Sequence, residues 1–335
     1  MAKPLHSAMR ILVVGAGVIG LTTAVCLAEA GYEVHVVARD LPLETTSSVA
    51  AALWYPYLAN PPERVLGWAA SSLRVFSQIA RECPRAGVKV VEGRELLSQP
   101  SADPFWASTV KSFTRLDDLP SPYVDGWSFE APIIEMPVYL TWLLERLEAA
   151  HGTLTRMALS ALPDRADLVI SCTGLGARRL GLDTSVKPIR GQVVRLAQVG
   201  LRRWSLDGAG PTYVVPRESD IVVGGTDDEN DWSTRPEPSI AADIMRRATA
   251  MVPELAGARV LGHRVGLRPV RPTVRLESEQ LSDGGRLIHC YGHGGPESHC
   301  LGGARQRYSR RSSKREALVG IPRRRVGTSS GATAA

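Results

Sequence analysis

The stretch from Arg10 to Arg39, RILVVGAGVIGLTTAVCLAEAGYEVHVVAR, limits what the chain can fold into more than any other. Ile11-Leu12-Val13-Val14 is a short, largely β-branched apolar run that ends at a glycine. That is the pattern of a strand buried on both faces of a parallel sheet. Gly15, Gly17 and Gly20 follow at G-x-G-x-x-G spacing. Leu21 to Ala30 then carries apolar residues at helical intervals and stops at Gly31, a residue suited to a left-handed cap. Val34 to Ala38 supplies a second strand. The spacing predicts one βαβ unit whose glycines lie where the first strand turns into the helix.

Each glycine answers a separate requirement. Gly15 permits the tight turn, Gly17 lets backbone approach a pyrophosphate, and Gly20 lets the helix pack closely on the strand. The helix N-terminus adds free N–H groups and a partial positive charge for a diphosphate. The segment Gly15-Ala16-Gly17-Val18-Ile19-Gly20 is therefore a candidate dinucleotide cradle. The acidic residue expected at the end of the second strand is displaced, since the chain reads Ala38-Arg39-Asp40. Asp40 is the candidate for holding a ribose, with Arg39 near a phosphate.

The chain has 335 residues, enough for two domains and a large core. Its five cysteines, Cys26, Cys83, Cys172, Cys290 and Cys300, are scattered, with no C-x-x-C pair. This argues against a disulfide framework or a metal site and for a reducing compartment. Residues 1–9 are too short and polar for a signal peptide, and no apolar run approaches the roughly 18 residues of a membrane helix. A cytoplasmic protein without membrane attachment is expected. The formal charge of +6 misleads. From Pro296 onward eight arginines and one lysine face only Glu297 and Glu316, a net of +7, which leaves −1 for residues 1–295. The basicity belongs to the tail and says nothing about the substrate.

After Asp40 the chain reads Leu41-Pro42-Leu43-Glu44-Thr45-Thr46-Ser47-Ser48, then Val49-Ala50-Ala51-Ala52-Leu53-Trp54-Tyr55-Pro56-Tyr57. Hydroxyls at 45–47 can bond phosphates, and small residues at 50–52 let backbone lie against a flat ring system. A capping cluster before a small-residue turn reads equally well from the pattern alone. Residues 62–82 are expected as an amphipathic helix, Val88–Glu92 and Glu95–Ser98 as two strands, and 136–147 as a helix. Thr153–Leu159 and Asp167–Cys172 are further strands, the second ending in Thr173-Gly174-Leu175-Gly176. Residues 187–195, 212–216, 221–225 and 260–265 suggest an antiparallel sheet, with 240–251 a helix between them.

Several of these segments resemble the D-amino acid oxidase family, flavoenzymes of the glutathione-reductase type of fold. TTSSVAAALWYPY (residues 45–57) is similar to the family's second fingerprint, and the Cys172-Thr173-Gly174 turn to its strand end near the flavin. PTYVVP (211–216), VVGGT (222–226), VGLRPVRP (265–272) and IHCYGHGG (288–295) follow in the family's order, so the likeness runs from residue 10 to 295. It implies an α/β protein with a Rossmann-like FAD-binding domain of residues 9–82, 136–188 and 264–304. An antiparallel-sheet substrate domain of residues 83–135 and 189–263 would interrupt it, and residues 305–335 would form a disordered basic tail.

The resemblance also implies roles. FAD would be held by Gly15 to Gly20, Arg39, Asp40, Thr45, Thr46, Ser47, Ala52, Leu53, Gly174, Leu175, Gly294 and Gly295. Arg268 matches the family's carboxylate-binding arginine, whose planar fork pairs both carboxylate oxygens of an amino acid. Tyr213 matches a tyrosine that bonds the same carboxylate, and Gly295 and Tyr55 complete the substrate contacts. Tyr55 stands where relatives often hold glutamine; Arg271 reads as structural. A second substrate tyrosine, carried on a lid in animal members, has no counterpart in residues 205–210, so a more open site with faster product exit is expected.

The implied reaction is oxidative deamination: a hydride leaves Cα for the flavin, oxygen becomes hydrogen peroxide, and the imino acid hydrolyses to a 2-oxo acid and ammonia. The resemblance implies a small-molecule D-amino acid and molecular oxygen as partners, with no nucleic acid and no membrane, and a homodimer is expected. A D-aspartate or glycine oxidase and a non-catalytic decayed homologue are the alternatives.

The resemblance breaks after Gly295. Relatives continue with a second glycine turn and S-W-G-C, whereas this chain gives Pro296-Glu297-Ser298-His299-Cys300-Leu301-Gly302-Gly303-Ala304 and an arginine-rich tail. That segment can be spelled CCG GAG TCA CAC TGT CTT GGG GGT GCG. Entered two bases later, the same string encodes Gly-Val-Thr-Leu-Ser-Trp-Gly-Cys. A frame shift near Gly295 is therefore expected, at the cost of a cofactor-binding turn.

Overall fold

The computed structural model describes residues 9–55, 62–164, 166–281 and 284–294. The chain opens as its sequence predicts, with β1 (Arg10–Val14), α1 (Val18–Glu29) and β2 (Glu33–Ala38). Helix α2 (Pro62–Glu82) leads to β3 (Val88–Leu97), the short β4 (Thr114–Arg115) and β5 (Asp125–Ile134). Helix α3 (Met136–Ala149) returns the chain to β6 (Thr153–Arg156) and β7 (Leu168–Ser171), followed by the one-turn α4 (Ala177–Leu180). Then come β8 (Lys187–Leu196), β9 (Trp204–Asp207), β10 (Tyr213–Pro216), β11 (Ile221–Gly224) and β12 (Asp228–Glu229). Helix α5 (Pro238–Met251), β13 (Val260–Val270), β14 (Arg275–Gln280) and β15 (Arg286–Tyr291) complete the described chain.

Among the described residues two sheets form. The first runs β14-β15-β7-β1-β2-β6, parallel throughout except for β14 at its edge. Alternation along β1 explains its cover. Ile11 and Val13 turn toward α1 and α3, where Leu21, Ala24, Leu140 and Leu143 are buried, while Leu12 and Val14 turn to the opposite face beside Val169 and Leu287. A strand covered on both faces needs the unbroken apolar run this one has.

The second sheet runs β12-β8-β11-β10-β9-β3-β5-β4, with β13 along the other side of β8. One face packs on α5 through Val194, Val214, Val223, Ala241, Ile244 and Ala248. The other carries Trp127, Phe129, Val193, Trp204 and Val215, with Trp54 and Trp106. Phe76 of α2 touches both this aromatic cluster and the core beneath α1. No described helix is long and apolar enough to cross a membrane.

Several expectations are corrected. The two strands expected either side of Gly93 are one, because Gly93 and Arg94 keep pairing with Phe129 and Ser128 while the Trp204 ring covers the glycine. Residues 205–207, where no lid tyrosine is expected, belong to β9, held between β3 and β10. Strand β6 ends at Arg156 rather than Leu159, and β13 runs on to Val270, which places Arg268 on a strand. Strand β5 adds to the expected strands, alternating buried Trp127, Phe129, Ala131 and Ile133 with half-buried Ser128 and exposed Glu130, and β14 adds an edge to the first sheet. The tail expected from residue 305 lies outside the described residues.

Candidate functional site

The glycine turn between β1 and α1 is built as the spacing requires. Gly15 has φ +116°, and a Cβ there would lie 2.3 Å from the Cys172 carbonyl oxygen. A Cβ on Gly20 would lie 1.9 Å from the Gly15 oxygen, so both positions exclude any side chain. At Gly17 a Cβ would meet only the Ser47 hydroxyl, at 3.1 Å. Helix α1 starts with Gly17 at its N-cap and no side-chain cap of its own. Its first amide, Val18 N–H, donates to Ser47 Oγ at 3.0 Å. An anion-favouring helix end, backed by glycine and bounded by a hydroxyl, is the cradle a dinucleotide diphosphate needs, and these residues fit that group.

The segment after β2 reaches back to this turn. Thr46–Val49 forms a 3-10 turn, and Ala52 adopts φ +54° before Leu53 bridges Ile133 of β5. Ile134 N–H and Trp54 N–H pair with the Ala52 and Pro132 carbonyls, clamping the loop on β5. The Trp54 indole donates to Ala69 O and Ser72 Oγ of α2, which fixes the chain on either side of Leu53 and Tyr55.

Strand β13 joins this turn to the second sheet. A side chain on Gly266 would meet Val49 and Thr46 at 3.4 and 3.5 Å, and one on Gly174 would approach Pro269 at 3.7 Å. Gly294 bridges Val270, close to Arg268 Cβ. Thus Thr46, Val49, Gly174 and Gly294 lie against the strand that carries Arg268.

Arg268 and Tyr213 share one face of the sheet. The register sets Tyr213 opposite Gly224, Gly224 opposite Val193, and Arg268 opposite Ile189. The guanidinium lies over Gly191, where a Cβ would sit 2.6 Å from Nη2, and the Tyr213 ring lies over Gly224, where one would sit 2.1 Å from Cζ. The two glycines remove the side chains that would otherwise stand between them. Arg268 Nη1 donates to the Thr226 carbonyl at 2.9 Å, fixing the fork. Burial raises the Tyr213 hydroxyl's pKa above the usual phenol value, and neighbouring Arg268 pulls the other way without reversing it. The phenol is a neutral donor.

The same row continues outward. Leu206 lies opposite both Tyr213 and Glu95, and Glu95 lies opposite Trp127. Glu95 is 6% exposed, yet accepts from Tyr55 OH at 2.6 Å and Trp127 Nε1 at 2.7 Å. Burial raises its carboxyl against the lowering effect of those two donors. Tyr55 packs edge-on to Trp106 and stacked on Phe129.

Arg39 and Asp40 pair with each other through two hydrogen bonds at the exposed end of β2. Thr45 Oγ1 donates to its own turn at Pro42 O. Leu175 is half-buried beside Val186 and Tyr291. Arg271 donates to Asp183 Oδ2 and to the Thr273 carbonyl. Gly295 lies outside the described residues. Sequence reasoning missed Glu95, Gly191, Gly224 and Thr226. Glu95 and Gly191 signalled themselves only as a charge and a glycine inside strands, whereas Gly224 and Thr226 lay in the VVGGT motif without a role assigned.

A family model described as DAO, FAD dependent oxidoreductase, matches residues 10–304. The D-amino-acid oxidase of Rubrobacter xylanophilus is 50% identical over 295 residues, covering 85% of this chain and 90% of that one. The D-amino-acid oxidase of Streptomyces coelicolor is 42% identical over 311 residues, covering 91% and 97%. The crystal structure of glycine oxidase from Geobacillus kaustophilus superposes with a TM-score of 0.72 at 19% identity, covering 85% and 90%.

Proposed function

Because the chain belongs to the DAO family of FAD-dependent oxidoreductases, we propose that it deaminates D-amino acids oxidatively, yielding 2-oxo acids, ammonia and hydrogen peroxide. The observation that carries this reading is the Arg268–Tyr213 pair, set on one sheet face over two glycines and joined through β13 to the dinucleotide turn. FAD bound at the glycine turn would supply the hydride acceptor for the substrate's Cα–H and the route of the electrons to oxygen.

The chain's own residues bind and orient. Arg268, its fork fixed by Thr226, pairs the substrate carboxylate through two charge-assisted hydrogen bonds, and the neutral Tyr213 hydroxyl donates a third. Holding the carboxylate at one end and Cα beneath it turns a bimolecular encounter into a positioned one. No side chain removes a proton from Cα, since the substrate binds with its amine neutral. Gly15, Gly17 and Gly20 with the α1 N-terminus hold the diphosphate, and Thr46, Ser47, Ala52, Leu53, Gly174 and Gly294 line its path to β13. Asp40 and Arg39 exchange their mutual pair for the ribose and phosphate. Tyr55, braced by Glu95, closes the side-chain end of the pocket.

The six-stranded sheet is the FAD-binding domain and the second sheet the substrate domain. The protein works in the cytoplasm as a homodimer, without nucleic-acid or membrane partners. The test is a flavin spectrum on the purified protein and peroxide release from a panel of neutral and acidic D-amino acids, glycine and L-amino acids. Neutral D-amino acids are expected to react fastest. A colourless protein in excess FAD, or turnover of the L-enantiomers instead, overturns the reading.

A further inference from the structure

Cys172 and Cys290 stand at the ends of two neighbouring parallel strands. The register sets Ile288 beside Ile170 and His289 beside Ser171, so the next residues along, Cys290 and Cys172, are side by side. Both pack in the core beneath α1, Cys172 buried and Cys290 half-buried, and both are free thiols. Adjacent strands lie about 4.8 Å apart, inside the roughly 4.4–6.8 Å Cα separation that a disulfide spans. Cys172 also floors the dinucleotide turn: its carbonyl abuts Gly15, and its Cβ lies 3.4 Å from where a Gly20 side chain would begin.

The pair is chemically asymmetric. Hydrogen bonding to Cys172 leads the causes that pull the Cys290 thiol down, with His293 assisting against burial. The same bond, together with burial, pushes the Cys172 thiol up. Cys290 is thus the sulfur inclined toward the thiolate, with the Cys172 thiol beside it able to resolve an oxidised sulfur.

We propose that Cys172 and Cys290 are a modification site, a dithiol that hydrogen peroxide oxidises to a disulfide beneath the dinucleotide turn. The proposal rests on the oxidase reading for its oxidant, which is the reaction's own product. The Cys290 thiolate attacks one peroxide oxygen, the O–O bond breaks, and a sulfenic acid forms as hydroxide departs. The Cys172 sulfur then attacks the Cys290 sulfur, displacing its hydroxyl as water together with the Cys172 proton. The two sulfurs lose two electrons and the peroxide gains them, so two thiols and one peroxide give one disulfide and two waters.

Peroxide added directly to the full-length FAD-loaded protein tests the site without relying on turnover. Remaining thiols are alkylated under denaturing conditions and the peptides weighed. The expected result is complete protection of both thiols and a Cys172–Cys290 linked peptide lighter by two hydrogens than its parts. Cys290→Ser should leave Cys172 fully alkylated. Cys172→Ser should halt at a Cys290 sulfenic acid that dimedone labels. Recovery of both thiols unoxidised, or a link from Cys290 to Cys26, Cys83 or Cys300, overturns the proposal. Failure of the oxidase reading shows separately, as missing peroxide release from D-amino acids.

Discussion

Arg268 makes its case through what surrounds it as much as through its charge. A guanidinium over Gly191, tied to Thr226 O, has few orientations left, so little entropy is lost when a carboxylate docks. Arg268→Ala removes two charge-assisted bonds of about 1.5–3 kcal/mol each, and kcat/KM for a neutral D-amino acid should fall about 10²–10⁴-fold. Arg268→Lys keeps the charge without the fork and should recover only part of that, mainly as a raised KM in steady-state assays. Glu95 yields a prediction with a definite sign. Its folded-state pKa is raised by burial, so the folded protein holds the proton more tightly than the unfolded chain does. Stability from Glu95 is therefore present in acid and declines as pH rises past the ordinary carboxylate range. Glu95→Gln, which keeps an acceptor for Tyr55 and Trp127, should be more stable than the parent at pH 8. The gap should close near pH 4, as urea titrations at the two values will read. Arg268 and Tyr213 were legible because each sits in a motif of its own. Glu95 was not, because its partners come from residues 55 and 127 and only the folded sheet unites them.

The βαβ unit and the antiparallel run of β8, β10, β11 and β13 were read correctly, whereas the continuity of β3, which rests on a distant partner, was not. The β1–α1–β2 unit announces itself within thirty residues, since its strand run, glycines and helix period are contiguous. Strand β3 hid its continuity because Gly93 looks like a break until Trp204 is laid across it. The glycines of the two sites fail differently when substituted. At Gly20 an alanine Cβ meets the Gly15 backbone oxygen at 1.9 Å, and backbone cannot yield without moving α1 off β1. Gly20→Ala should cost about 3 kcal/mol or more, seen as a lowered denaturation midpoint and loss of bound FAD on gel filtration. At Gly224 the obstacle is the Tyr213 ring. Gly224→Ala should fold with a penalty of about 1–3 kcal/mol while displacing the phenol, so KM for substrate rises and FAD is retained. The contrast separates a glycine that builds the cofactor turn from one that floors the substrate face.

At the scale of the molecule, β13 of the second sheet passes the Thr46–Val49 turn and Gly294 reaches Val270, which brings the substrate face up to the dinucleotide turn. The matched region ends at residue 304, with the tail's net charge of +7 drawn from Pro296 onward. The break was legible because composition and motif order both change at one point, and the gene's codons are where its cause can be read. A gene whose codons for residues 296–304 read two bases on as Gly-Val-Thr-Leu-Ser-Trp-Gly-Cys would establish a frame shift, and codons that cannot do so would exclude it. The functional consequence follows from hydrogen-bond arithmetic. A glycine turn at this place would offer backbone N–H groups to the flavin, and losing even one bond to a charged or strongly polar acceptor costs about 1.5–3 kcal/mol. The chain with its frame restored should therefore bind FAD at least about tenfold more tightly than the chain that continues through Pro296. Equilibrium dialysis of the two apoproteins against FAD measures the difference. Equal affinities would mean that the glycine turn after β1, with β13 and Gly294, suffices to hold the cofactor.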